Sequence, residues 1–149
     1  MAGIRIESQG NAVEGSERFS AEIGPALYRA LLKGALALGR RIAENVEDFK
    51  ETVGTRRLSR SFLTPEPDAG GNMILGGESP VYAAIHEYGG TIRPVTAEWL
   101  HWTDPQGGAH FAKEVHIREK RYARSAIEEF EASGEMTSIL AAELHGALS

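Results

Sequence analysis

Tyr82-Ala83-Ala84-Ile85-His86-Glu87-Tyr88-Gly89-Gly90-Thr91-Ile92-Arg93-Pro94 sets a short apolar segment, a double glycine and a second short apolar segment in a row. Val81 to Tyr88 fits one or two helical turns. Gly89-Gly90 can take positive φ and turn the chain sharply into a strand at Thr91–Arg93. Tyr82 and Ile85 are expected to bury, leaving His86 and Glu87 accessible. A carboxylate and an imidazole beside such a turn are placed to bond backbone amides or a neighbouring subunit's basic side chain.

The segments on either side supply the fold class. Upstream, Ile4–Glu7 alternates as a half-buried strand does, and Gly10–Ser20 is polar and turn-rich, as a loop is. From Ile23 to Phe49, Leu27, Leu31, Leu38, Ile42, Val46 and Phe49 form one apolar stripe. That spacing predicts a long amphipathic helix, with Pro25 near its start. Gly54–Phe62 places Leu58 and Phe62 four apart with Arg56, Arg57 and Arg60 outside, one or two turns of helix. Pro65–Asn72 reads as an exposed loop, and Met73–Leu75 as a buried strand ending at Gly76-Gly77.

Downstream, Asp104-Pro105-Gln106-Gly107-Gly108 is a strong turn signal, making Trp99–Trp102 and His110–Ile117 a hairpin. Period two then sets Phe111, Lys113, Val115 and Ile117 on one face and His110, Ala112, Glu114 and His116 on the other. Arg121–Phe130 reads as a helix with Tyr122, Ala126, Ile127 and Phe130 inside, broken at Gly134. A last helix carries Met136, Leu140, Leu144 and Leu148. The sum is one α+β domain over residues 1–149. Its sheet is mostly antiparallel, with about four or five strands, the long helix on one face and C-terminal helices.

With 42% hydrophobic and 25% charged residues, the chain has the composition of a globular domain. It contains no cysteine, which excludes disulfides, cysteine zinc sites and thiol nucleophiles. No apolar run approaches the roughly 20 residues that span a bilayer. The N-terminus lacks the apolar core of a signal peptide, so synthesis into the cytoplasm is expected. A net charge of −5 argues against tight nonspecific binding to nucleic acid.

His86-Glu87 invites comparison with the H-E-x-x-H zinc motif, whose second histidine is replaced here by Gly90. A zinc ion would need further ligands from His101, His110 or His116. His110 and His116 stand too far apart on one strand to share it, whereas Glu114 and His116 are within reach of each other. Ser61, Ser79 and Ser125 sit in no nucleophile elbow. Neither Gly70-Gly71 nor Gly76-Gly77 precedes the G-K-S/T of a phosphate loop. Arg56, Arg57 and Arg60, and the run Lys113, Arg118, Lys120, Arg121 and Arg124, are the basic concentrations. Each reads first as a solvated face and next as contact with an acidic partner.

Four segments together resemble the virion-morphogenesis or tail-completion proteins of tailed bacteriophages. They are the long helix after an N-terminal strand, Gly54–Phe62 (similar to a G-x-L-R-x-S element), Tyr82–Pro94 (similar to Y-A-x-I-H-E-(F/Y)-G-G-x-I-x-P) and Phe111–Ile117. Ile117-Arg118-Glu119-Lys120-Arg121-Tyr122 departs from the family's proline-containing run at that place, while Tyr122 keeps the aromatic position. The resemblance implies a structural virion protein with no catalytic residue, cofactor or metal. It implies a homo-oligomeric, hexameric ring at the head–tail joint, made in the host cytoplasm and carried in the virion's neck. The partners implied are head connector, stopper or adaptor proteins, the tail tube or tail terminator, and double-stranded DNA passing without sequence-specific binding. No membrane is involved. The structural or interface positions are Tyr82, His86, Glu87, Tyr88, Gly89, Gly90, Arg56, Arg57, Arg60, Arg121, Tyr122, Leu140 and Leu144. A core role for the Leu140/Leu144/Leu148 row stays open, and Pro65–Asn72 is a further docking segment. The alternatives are a tail-terminator ring, a prophage adaptor, and a small metal-dependent hydrolase using His86 and Glu87.

Overall fold

A computed structural model describes residues 3–6, 17–48 and 55–149. Twelve elements follow in order: β1 (Ile4–Ile6), α1 (Glu17–Glu47), α2 (Thr55–Ser61), β2 (Glu66–Pro67), β3 (Met73–Leu75) and α3 (Ala83–Tyr88). Then come β4 (Gly90–Ile92), β5 (Leu100–Thr103), β6 (Ala109–Ala112), β7 (Val115–Ile117), α4 (Tyr122–Ser133) and α5 (Glu135–Leu148).

The long helix is the spine. Its stripe buries Leu31, Leu38, Ile42 and Val46, each of them worth about 1.5–3 kcal/mol of apolar burial. Around the stripe gather Leu58 and Phe62 from the α2 region, Met73 and Leu75 of β3, Ala83 of α3, and Tyr122, Ala126 and Phe130 of α4. Gly39 sits where the Phe62 carbonyl presses against α1, a place with no room for a Cβ. The rings of Phe62 and Tyr122 meet edge-on at 5.9 Å, joining the α2 side of the core to the α4 side.

The α+β class and the antiparallel pairing are as the sequence predicts. The strands, however, divide into three small sheets: β1-β3-β2, β4-β7 and β5-β6. The reason is a break at Lys113-Glu114. His110–Ile117 is therefore two strands, with β6 pairing to β5 and β7 crossing to β4. The two faces expected of a continuous strand do not exist.

Other expectations change at the edges. The helix begins at Glu17, so the last residues of the expected Gly10–Ser20 loop are helical, while residues 10–16, Phe49 and Gly54 lie outside the described residues. Pro25 thus falls inside α1, on an exposed stretch where water can satisfy the carbonyl one turn back. Leu27, expected on the buried stripe, is exposed. Pro65–Asn72 carries β2, paired to β3. The last helix lies along α1, tied by Glu143 to Arg29 and Lys33 and by Glu135 to Arg41. Leu140 and Leu144 are half-buried and Leu148 is exposed. Among the described residues no helix is long and apolar enough to cross a membrane.

Candidate functional site

Nothing at the start of α4 can cap it locally. Its N-cap residue is Arg121, in the left-handed conformation at φ 51° and without a side-chain cap bond. The cap comes from α3. Glu87 Oε2 accepts the Ala123 amide at 2.9 Å, and Oε1 accepts the Arg124 amide at 3.1 Å. These are the second and third residues of α4, the donors an N-cap side chain normally serves. The carboxylate also meets the positive end of the α4 dipole.

Arg124 closes the arrangement. Its Nε donates to Glu87 Oε1 at 2.8 Å, and one terminal nitrogen donates to the Glu87 carbonyl at 2.7 Å and to Glu119 at 3.0 Å. Its guanidinium lies 4.8 Å from the centre of the Tyr88 ring. Backbone bonds run alongside, with the Lys120 amide donating to the His86 carbonyl and the Arg121 amide to the Glu87 carbonyl. Tyr122 donates its hydroxyl to the Ala83 carbonyl at 2.9 Å, and Asn45 of α1 donates to the Tyr122 carbonyl at 3.0 Å. Burial pushes the Tyr122 phenol well above its ordinary range, helped by the Glu87 charge.

Gly89 explains why α3 can approach so closely. It has φ 74° and ψ 178°, a region that only glycine adopts readily, and a Cβ there would stand 2.8 Å from the Glu119 nitrogen. Gly90 also has positive φ, at 152°, and leads directly into β4. The double glycine turns the chain as expected. The expectation that His86 and Glu87 stay accessible is wrong: they are 9% and 3% exposed. Each is drawn in because α4 needs the carboxylate and the Tyr82 ring packs edge-on against the imidazole at 5.8 Å. Burial, and secondarily Lys120, holds the His86 imidazole below its ordinary pKa.

On the opposite side His86 lines a groove of about 490 Å³ between the β4-β7 pair and the β5-β6 hairpin. Ile92, Leu100, Trp102, Val115 and Ile117 supply its apolar wall. The hairpin beyond is exposed along nearly its whole length. Two cross-strand pairs hold it: Trp102 stacked on His110 at 5.3 Å, and His101 on Phe111 at 4.6 Å. Asp104 accepts the Gln106 and Gly108 amides and bonds His110 at 2.8 Å, tying off the turn. Trp99, Trp102 and Phe111 remain 46%, 41% and 65% exposed.

The positions singled out from sequence thus fall in three places. Tyr82, His86, Glu87, Tyr88, Gly89, Gly90, Arg121 and Tyr122 meet at the α3–α4 junction. Arg56, Arg57 and Arg60 lie apart on the outer side of α2, and Leu140 and Leu144 on α5. Among the described residues no three histidine or acidic side chains are grouped to hold a metal ion. His110 bonds Asp104, His116 faces Thr91 at 3.3 Å, and Glu114 pairs with Arg93.

No protein-family model, curated protein or solved structure matches the chain.

In the sequence Arg124 is one member of a basic run, and neither its place in the cap nor the exposure of the hairpin's aromatic residues is evident there. That the cap is remote does leave a signal. Arg118-Glu119-Lys120-Arg121 offers no Ser, Thr, Asp or Asn to start a helix, so the cap had to come from elsewhere.

Proposed function

We propose that this chain is a structural subunit of a tailed-phage virion that closes into a ring at the head–tail joint around the DNA passage. The observation that carries this reading is the β5-β6 hairpin. An isolated two-stranded hairpin is marginal in water, and Trp99, Trp102 and Phe111 on this one stay partly exposed even with His110, His101 and Lys113 against their rings. Such a surface is stabilised when a neighbour covers it. The Tyr82–Pro94 segment, which carries the resemblance to the tail-completion proteins, is at the same time the junction that fixes α4.

The Glu87 environment supports an architectural role over a hydrolytic one. Both carboxylate oxygens are occupied by helix amides and a guanidinium, and the group is 3% exposed. A general base needs a free oxygen within reach of the proton it takes.

The test is complementation in cells that produce the particle. The variant Phe111→Ser, which removes the most exposed of these rings and keeps the Trp102–His110 pair, should fold and leave filled heads unjoined to tails. Normal yields of joined, infectious particles from that variant would contradict the reading.

A further inference from the structure

The arm that leaves along β4, turns through the β5-β6 hairpin and returns along β7 is bent. Ile92 pairs with Val115 at its base and Leu100 with Ala112 further out, so residues 93–99 on one side answer to residues 113–114 on the other. The groove of about 490 Å³ lies at this bend. Ile92 and Val115 wall it on the base side, Leu100 and Trp102 on the hairpin side.

Strand alternation fixes what stands behind that wall. Residues directly opposite in an antiparallel pair share a face, and successive residues along a strand point to opposite faces. The pairs Leu100–Ala112 and Trp102–His110 therefore face one way, and His101–Phe111 the other. The rings agree, with Trp102 stacked on His110 and His101 on Phe111. His101 and Thr103 also border the groove, as members of the strand that walls it, whereas Phe111 stands outside it. One arm thus carries an apolar hollow and, back to back with it, a ring that is 65% exposed.

We infer that Phe111 of one copy of this chain seats in the groove of the next, against Ile92, Leu100 and Trp102. The inference rests on the proposed ring and gives that ring its contact. A ring closes through two different, complementary patches on each subunit. Patches on opposite faces of one hairpin let each copy insert in one direction and receive in the other. A partner of another kind would cover the ring or the hollow and leave the other bare. The charges agree in sign: Lys113, two residues from Phe111, is exposed, and Asp104 borders the groove. Other exposed apolar residues fit less well. Tyr88 already lies against the Arg124 guanidinium, and Val81 and Val95 are too small to anchor a contact as an aromatic ring does.

Two variants split the contact into its halves. Phe111→Ser removes the inserted ring and keeps the groove. Ile92→Glu charges the groove wall at an exposed position and keeps the ring. Sedimentation velocity of the purified chain at rising concentration should show self-association, weakened about tenfold or more in either variant alone. Phe111→Tyr, which keeps a ring, should associate as wild type does. Mixed one to one, Phe111→Ser and Ile92→Glu should form a pair that grows no further, since only one intact ring meets one intact groove. Both should melt cooperatively, and Ile92→Lys serves where Ile92→Glu does not. A wild type that stays monomeric, a variant that associates as wild type does, or a mixture that stays monomeric overturns the inference. Particles holding the chain as a ring with Phe111 outside any groove keep the ring reading and lose this contact alone.

Discussion

Glu87 on α3 accepts the amide of Ala123 on α4 at 2.9 Å, across 36 residues of sequence. A helix that lacks a cap of its own is thereby started by a side chain from another helix. The same carboxylate holds Arg124, and the Glu87 carbonyl receives the Arg121 and Arg124 donors. Local sequence, tertiary packing and charge all meet in this one group.

Replacing Glu87 by Ala leaves two helix amides without their acceptor, each worth about 1–3 kcal/mol when buried. Stability should fall by about 3 kcal/mol, a drop of roughly 10 °C in Tm for a domain of this size. Glu87→Gln keeps one acceptor and should lose about half as much. Thermal unfolding of the two variants measures the difference. Equal stability of Glu87→Ala and wild type would mean the cap contributes nothing.

Gly89 and Gly107 make a matched pair. Both have positive φ, at 74° and 88°, but a Cβ on Gly107 meets nothing while one on Gly89 meets the backbone of Glu119 and Ile117. Gly107→Ala should cost about 1 kcal/mol of conformational strain. Gly89→Ala should cost several times more, because α3 must also move off β7. Denaturant midpoints of the two variants separate strain from contact.

How much of this could be read from sequence follows from what determines each part. The α1 stripe and the Asp104–Gly108 turn were legible because helical period and turn chemistry are local. The burial of Glu87 was not, since its partners Ala123 and Arg124 are distant in sequence and small or charged in ways that signal no contact. The break between β6 and β7 was likewise hidden. Lys113 stands among apolar residues on its face, but one charged residue does not by itself mark a break, and only the pairing of Val115 with Ile92 and of Leu100 with Ala112 parts the two strands.

His86 predicts a direction with pH. Burial holds its imidazole below the ordinary value of 6.5, so the unfolded chain binds the proton more readily than the folded one. Its contribution is therefore complete above pH 6.5 and is lost progressively as the pH falls below that value. Tm should decline between pH 7.5 and pH 5, and His86→Gln should flatten that decline whatever it does to Tm at pH 7.5. An unchanged slope in the variant would locate the dependence elsewhere.

Tyr122 predicts the opposite end of the scale. Its raised phenol pKa means that folding favours the neutral hydroxyl, an advantage present below pH 10 and lost above it. Of the four tyrosines, one should resist ionisation in an alkaline absorbance titration until the protein unfolds. Tyr122→Phe should remove the resistant one and, by deleting the buried hydroxyl's bond to the Ala83 carbonyl, lower stability by about 1 kcal/mol.

Electron cryomicroscopy of particles from cells that encode this chain, with the subunit located in the density, reaches furthest. It should find a closed ring between head and tail with Trp102 and Phe111 buried where adjacent subunits or neighbouring proteins meet. Particles that lack the chain, or a ring whose β5-β6 hairpins stand free in solvent, would contradict it.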